Sequence, residues 1–221
     1  MNKISNYTVI FILFLSLSVI EAAILMPSLK ENNKVILKLE KDEVAIFSYG
    51  SLMQIEELHD QSYNGPFIQA DLANFKRTWS ARYPTNWRHQ HLKFKDKENE
   101  YFFPKSITYL NIEPCKDCKV NGMIFVCSKK DLEYYDKREA PYNRVKINDK
   151  LLNISIIGGD TYVYTAKPKQ YFPTNKNTSP RDTVILQSYV DIIEEALNIL
   201  GKEFTKEYNN STQPLPTHLV F

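Results

Sequence analysis

Strand-forming segments between residues 44 and 166 are the feature that most constrains the fold of this chain. Apolar, β-prone stretches separated by turn-forming residues occupy positions 44–49, 67–83, 106–112, 120–127 and 161–166. One clear helical pattern follows: Ser179 and Pro180 suit a helix start, apolar residues then recur at helical spacing, and Gly201 suits its end. The pattern predicts one mixed α+β domain, strand-rich in the middle and closed by a C-terminal helix.

Two local predictions refine this picture. Residues 132–139 form a short helical pattern after the capping residues 128–131, and Pro141 disfavours helix at the residue before it. Residues 142–147 and 151–157 have the character of two strands paired around an Asn-Asp turn.

The first 23 residues predict a targeting segment. Lys3 precedes an apolar run at residues 9–20, and small residues follow, which is the order of a secretory signal. The run has 12 residues, whereas a membrane-spanning helix needs ~20. We therefore expect residues 1–23 to be a signal peptide or, if uncleaved, a membrane anchor. Residues 24–221 then form the domain, and the protein is exported.

Composition excludes several classes of partner. The chain is 43% hydrophobic and 24% charged, which is typical of a globular protein. Its net charge of +2 comes without a basic stripe, so nucleic acid is not the expected partner. None of the six glycines belongs to a dinucleotide-binding or phosphate-binding loop, so no nucleotide cofactor is suggested.

The cysteines are few. Cys115, Cys118 and Cys127 have no histidine nearby in the sequence, which is too few ligands for a four-ligand zinc site. In an exported protein, the first two favour a small disulfide loop between two strands, with Cys127 in the second strand. Unpaired thiols are the second interpretation, and a redox or metal site is the third.

Two sequence features can carry chemistry. The first is the 49–52 turn, Tyr49-Gly50-Ser51-Leu52, which follows the apolar strand at residues 44–49. A strand that ends in Gly-Ser exposes successive backbone N–H groups and a hydroxyl, which can hold a carboxylate or a polarised carbonyl oxygen. Alone, such a turn is more often an ordinary one.

The second feature is Glu139, at the point where a predicted helix breaks and a strand begins. A carboxylate in this position can be directed inward. Alone, the charged residues Asp136, Arg138 and Glu139 are more typical of a solvated, ion-paired helix end.

Together the two features resemble the γ-glutamylcyclotransferase family. Its members have a Tyr-Gly-Ser or Tyr-Gly-Thr turn after the first strand, then a glycine followed by an apolar strand, a short helix, and an Asp-x-x-Glu helix end with a tyrosine shortly after. The matching residues here are Tyr49-Gly50-Ser51, 122–126, 132–135, Asp136 to Glu139, and Tyr142. Residues 70–79 and the tail also resemble the family, so the likeness spans nearly all of residues 24–221. Ala140-Pro141 departs from it, because the family often has glycine after the glutamate.

The resemblance implies a small closed, mixed β-barrel decorated by helices, with the site at one mouth. It also implies a reaction in which the α-amino group of a γ-glutamyl compound attacks its own γ-carbonyl, giving 5-oxoproline and a free amine or amino acid. Neither a metal nor a cofactor is implied, since the nucleophile belongs to the small-molecule substrate. Glu139 matches the general acid/base. The substrate-binding residues implied are Tyr49, Gly50, Ser51, Leu52 and Tyr142, the two tyrosines as hydroxyl donors.

Proton transfer sets a condition on Glu139. A free glutamate has a pKa of ~4.3 and an α-amino group ~8, so the transfer is uphill by about 5 kcal/mol. Burial raises the pKa of a carboxyl group and reduces this difference. We therefore expect Glu139 to be enclosed, to titrate high, and to lie close to Gly50.

Other interpretations remain open from the sequence. A non-catalytic binding module for a small molecule or protein could use the same barrel. His89 and His91 could serve a metal-dependent hydrolase, although their segment is polar and loop-like. Arg138 and Arg144 could bind a substrate carboxylate or form surface ion pairs.

Overall fold

The computed structural model of the protein describes residues 29–31, 34–60, 63, 65–85 and 92–221. The expected signal or anchor at residues 1–23 lies outside this range, and so does the pair His89 and His91. Within the described ranges, no helix is both long enough and apolar enough to cross a membrane.

The described residues form eleven strands and three α-helices. The strands are β1 (Leu29–Glu31), β2 (Lys34–Lys38), β3 (Glu43–Ser48), β4 (Phe67–Pro84), β5 (Phe94–Lys95), β6 (Tyr101–Phe102), β7 (Ser106–Ser128), β8 (Tyr142–Lys146), β9 (Ser155–Ile157), β10 (Thr161–Ala166) and β11 (Thr183–Val184). The helices are α1 (Leu132–Arg138), α2 (Gln187–Leu200) and α3 (Lys202–Asn210).

The main sheet is built around β7, which has 23 residues and pairs with three other strands. β4 runs antiparallel to it along nearly its whole length, with two register shifts that bend the pair. β3 pairs with the second half of β7, and β11 runs parallel to its start. β10 then joins β3 in parallel, and β8 joins β10 antiparallel. The sheet is mixed and curls into a half-barrel, which confirms the predicted α+β class. The pairings described leave its ends, β8 and β11, unjoined.

The core fills the inside of this curled sheet. β3 is buried over residues 44–48, because both of its faces are covered. Helix α2 turns Val190, Ile193 and Leu197 inward, which is the three-and-four spacing of an amphipathic helix. Its packing brings the start of α2 against the turn that follows β3.

The start of the C-terminal helix differs from the prediction. The helix begins at Gln187 and not near Ser179, since Thr183 and Val184 pair with β7 as strand β11. Sheet pairing here overrides the local signal for a helix start. Gly201 ends the helix as predicted, with a φ of 89° that favours glycine. A further helix, α3, follows and was not predicted.

Two predicted strand arrangements are wrong. Residues 106–112 and 120–127 are not separate strands around a turn, because β7 runs through both of them and through Cys115 and Cys118. These two cysteines form a disulfide, the interpretation that the sequence favoured, and Cys127 is buried and free. β8 does not pair with the segment that follows it either: its partner is β10, and β9 pairs with β2.

Candidate active site

The 49–52 turn follows directly from the end of β3. The N–H of Met53 donates to the carbonyl of Gly50 and that of Gln54 to the carbonyl of Ser51, both at 2.9 Å, which closes a short 3₁₀ turn over Ser51–Met53. The first N–H groups of such a turn have no partner inside it. Backbone donors of Ser51 and Leu52 therefore stand at the end of a rigid, buried strand.

Glu139 is the C-cap residue that follows α1, at the point where the chain leaves the helix. Its N–H donates to the carbonyl of Tyr135 at 2.7 Å, and its own carbonyl accepts from the N–H of Tyr142 at 2.8 Å. The bend between helix and β8 turns the side chain inward, and only 16% of it is exposed. The expected enclosure of Glu139 is thus present, while its high titration stays a prediction.

Glu139 and the 49–52 turn line the same pocket. A cavity of about 280 Å³ has Ser51, Glu139 and Tyr142 in its wall. A smaller recess of about 30 Å³ shares these residues and adds the rest of the turn: Tyr49, Gly50 and Leu52. All six residues predicted for the site therefore lie together, although about ninety positions separate the turn from the carboxylate in the sequence.

Four tyrosines line the recess: Tyr49, Tyr142, Tyr164 and Tyr189. The hydroxyl of Tyr49 donates to the carbonyl of Tyr164 at 2.6 Å, and that of Tyr142 donates to the carbonyl of Leu110 at 2.6 Å. The hydroxyl of Tyr189 accepts from the N–H of Leu110 at 3.4 Å. Because a carbonyl oxygen cannot donate, the single hydroxyl hydrogen of Tyr49 and that of Tyr142 are already used in these hydrogen bonds. This corrects the expected role of both as hydroxyl donors: in this arrangement they can accept a hydrogen bond from a ligand.

These hydroxyls remain neutral at physiological pH. Burial raises the pKa of Tyr49, Tyr142 and Tyr189 well above the ordinary value, and the nearby carboxylate of Glu139 raises each further. The recess thus pairs one carboxylate with uncharged polar groups and backbone donors.

Arg138 lies beside Glu139 and lines the larger cavity. Its Nε donates to the Glu139 carboxylate at 3.2 Å, and its two terminal nitrogens donate to the backbone oxygen and the carboxylate of Glu57 at 2.7 and 2.6 Å. Arg144 is different: it pairs with exposed Asp136 at 2.9 Å and lines neither cavity. Of the two arginines left open by the sequence, only Arg138 belongs to the candidate site.

Several wall residues were missed by the sequence. Tyr83, Tyr109 and Tyr189 line the larger cavity, together with Glu57 and Ile192. Tyr189 carries the only signal available, since it lies in the tail that resembles the family. The others come from positions whose proximity depends on how β4, β7 and α2 fold around the sheet.

Within the part of the chain that the structure describes, no group of three or more histidine, cysteine, aspartate and glutamate side chains is arranged to hold a metal ion. The hydrolase interpretation through His89 and His91 falls on residues outside that part.

Comparison with known proteins adds information on the fold. No protein-family model matches the chain, and no curated protein matches its sequence. The crystal structure of YkqA from Bacillus subtilis superposes with a TM-score of 0.50 at 16% identity, over 80% of this chain and 56% of YkqA. The chain therefore spans little more than half the length of that protein.

Other solved structures score lower. A gamma-glutamyl cyclotransferase gives a TM-score of 0.46 at 15% identity, over 78% of this chain and 89% of that protein. A glutathione-specific gamma-glutamyl cyclotransferase from yeast gives 0.44 at 12% identity, over 78% and 98%. The structural neighbours thus include YkqA and γ-glutamylcyclotransferases, the family that the sequence resembles.

Proposed function

We propose that the protein is a γ-glutamylcyclotransferase: it converts a γ-glutamyl compound into 5-oxoproline and a free amine or amino acid. The single observation that carries the proposal is that Glu139 and the 49–52 turn line one cavity. A carboxylate and a set of backbone donors in the wall of one small pocket are the two parts that an intramolecular aminolysis requires.

The proposed reaction begins with the substrate's α-ammonium group. Glu139 takes one proton from it, and the resulting amine attacks the γ-carbonyl carbon, forming a five-membered ring and a tetrahedral oxyanion. Glu139 then returns the proton to the departing nitrogen, the bond between that nitrogen and the γ-carbon breaks, and the oxyanion becomes a carbonyl again. The ring nitrogen gives up its remaining extra proton through Glu139 to solvent or to the released amine, and 5-oxoproline is released. The nucleophile and the leaving group both come from the substrate, so one acid/base is sufficient.

We assign the oxyanion to the backbone N–H groups at the start of the turn, near Ser51. The hydroxyl oxygens of Tyr49 and Tyr142 suit a different partner: they can accept from the N–H bonds of the substrate's ammonium group, because their own protons are used elsewhere. Together with the Glu139 carboxylate, they would hold the ammonium next to the base. Leu52 and Tyr189 also line the recess.

The test is a direct assay of 5-oxoproline by mass spectrometry. Glutathione, a γ-glutamyl dipeptide and a γ-glutamyl amine are each incubated with the wild-type protein and with Glu139→Gln. We expect product with at least one of these compounds and a loss of about 10²- to 10⁴-fold in kcat in the variant, as for removal of a general acid/base. Glu133→Gln is the matched control, since Glu133 lies on the same helix and is exposed.

Two outcomes would contradict the proposal. Equal activity in wild type and Glu139→Gln would remove the mechanism. No turnover of any compound by a folded protein, together with binding of one of them, would favour the non-catalytic binding module instead.

Export through residues 1–23 belongs to the same proposal, and N-terminal sequencing of the protein recovered from its producing cells tests it.

A further inference from the structure

The guanidinium of Arg138 connects the segment after the 49–52 turn to the helix end that carries Glu139. Glu57 ends a 3₁₀ turn (Ile55–Glu57) a few residues after the 49–52 turn, and Arg138 is the last residue of α1. Arg138 donates twice to Glu57, through its backbone oxygen and its carboxylate, and once to Glu139. The segment that carries the turn is thereby tied to the helix end that carries Glu139.

This network is not a solvent-screened surface pair. The side chains of Arg138, Glu57 and Glu139 are only 23%, 30% and 16% exposed. Burial lowers the pKa of Arg138, but its hydrogen bond to Glu57 and the charges of Glu139 and Glu57 outweigh this effect and raise the pKa above its ordinary value. The guanidinium is therefore always charged. Its planar fork fixes direction as well as charge, which a lysine cannot do.

The charged and titratable groups that face Glu139 come from several elements. Arg138 approaches from its own helix, and Glu57 lies behind Arg138 on the opposite segment. Tyr49 approaches from the 49–52 turn, Tyr142 and Tyr164 from strands β8 and β10, and Tyr189 from α2, and all four are held neutral by raised pKa values. Among these groups of the described chain, Arg138 is the cation closest to the Glu139 carboxylate.

We propose that Arg138, anchored by Glu57, is a positioning residue that directs the Glu139 carboxylate into the cavity and sets its proton affinity. The proposal rests on the proposed function. Glu57 contributes by holding the guanidinium in place, because an unanchored arginine side chain samples many rotamers and would not fix its neighbour.

The kinetic test compares Arg138→Lys, Glu57→Gln and the double variant in the 5-oxoproline assay. Each single variant should lower kcat by about 10- to 100-fold, as expected when a catalytic group is misplaced, with KM within about twofold of wild type. The double variant should be no worse than the more damaged single variant, because residues that act as one unit are not additive.

The matched control is Arg181→Lys. Arg181 also faces two carboxylates, Asp96 at 3.4 Å and Glu100 at 3.8 Å, but it is exposed and lines neither cavity. The kcat of the Arg181→Lys variant should equal that of wild type. Additive losses in the double variant, or a rise in KM with unchanged kcat, would overturn the positioning role.

A second measurement does not depend on turnover. The ¹³C-carboxyl signal of Glu139, assigned by its absence in Glu139→Gln, is titrated in wild type, Glu57→Gln and Arg138→Gln. Removal of the adjacent positive charge should move the titration of Glu139 to higher pH in Arg138→Gln. Glu57→Gln is nearly isosteric, so it reports the loss of the anchor in a protein that retains its fold.

The two failures are distinguishable. An unchanged titration of Glu139 in Arg138→Gln overturns the inference, whether or not the protein makes 5-oxoproline. A shifted titration in a protein that makes no 5-oxoproline overturns the proposed function, while the control of Glu139 by Arg138 stands.

Discussion

The hydroxyl oxygen of Tyr189 lies 3.0 Å from the point at which a Cβ atom would stand on Gly50. The backbone at Gly50 has a φ of −135°, outside the left-handed region that favours glycine, and the requirement for glycine argued here is the close contact. The absence of a side chain lets α2 bring Tyr189 against the 49–52 turn. The contact therefore depends both on a local residue choice, glycine at position 50, and on the packing of α2.

Gly50→Ala should therefore lower kcat/KM by about tenfold, equivalent to about 1.4 kcal/mol, because the new methyl group pushes Tyr189 out of the recess wall. Thermal unfolding should change little, since no buried group is lost. The double variant Gly50→Ala/Tyr189→Phe removes the hydroxyl that the methyl group meets, and it should recover activity relative to Gly50→Ala. Tyr189→Phe alone gives the baseline, and full activity in Gly50→Ala would contradict the close contact.

Tyr142→Phe distinguishes two roles for the same hydroxyl. As an oxyanion donor its loss would cost about 10²- to 10³-fold in kcat. Since the hydroxyl donates to the carbonyl of Leu110 instead, we expect less than about tenfold in kcat and a stability loss of about 1–3 kcal/mol from the unpaired carbonyl. Urea unfolding and the 5-oxoproline assay measure the two effects. Tyr162→Phe, whose hydroxyl faces Asp160 at 3.1 Å outside both cavities, is the matched control.

Local sequence was sufficient for the parts of the site that begin and end elements. The apolar run before Gly50 predicts a buried strand and a turn, and Pro141 predicts the helix break that presents Glu139. Both signals are carried by nearest neighbours in the chain, so no tertiary context was needed to find them. The prediction that Glu139 and the 49–52 turn lie close together came from the resemblance to the family.

The rest of the site depends on contacts between distant segments. Glu57 has no local feature that marks it as a wall residue, because its position follows from the ion pair with Arg138. Tyr189 lies in the tail that resembles the family, but its place in the wall follows from the packing of α2. Contacts between distant segments also explain the errors in the predicted fold. Thr183 becomes a strand residue only because the start of β7 offers an edge, and a 23-residue strand cannot be anticipated when a Cys-x-x-Cys segment interrupts its pattern.

Arg77 is a second residue whose importance only the fold reveals. Its side chain is fully buried, donates to Thr212 at 2.7 Å and to the carbonyl of Asn121, and lies 3.8 Å over the ring of Tyr208. Arg77→Ala should destabilise the protein by about 3 kcal/mol or more, because several buried acceptors lose their donor at once. Urea unfolding measures this loss. Lys76→Ala, one position earlier and half exposed, should fall within about 0.5 kcal/mol of wild type.

Alkaline pH should destabilise the protein, because buried groups lose their protons in the unfolded chain at a lower pH than in the folded state. Burial raises the pKa of the Cys127 thiol to about 12, and it does the same for the hydroxyls of Tyr135 and Tyr208. The ordinary values are 9.0 for the thiol and 10.0 for the phenol, so between pH 9 and 12 the unfolded state has lost protons that the folded state still holds. Stability must then fall as pH rises through this window. Urea unfolding at stepped pH, with tyrosinate absorbance recorded in parallel, should show the midpoint decreasing above pH 9 and the buried tyrosines ionising only on unfolding. Cys127→Ala should flatten the first part of the decline, since the thiol is the group with the lowest ordinary pKa; a slope equal to that of wild type would show that Cys127 is not protected by the fold.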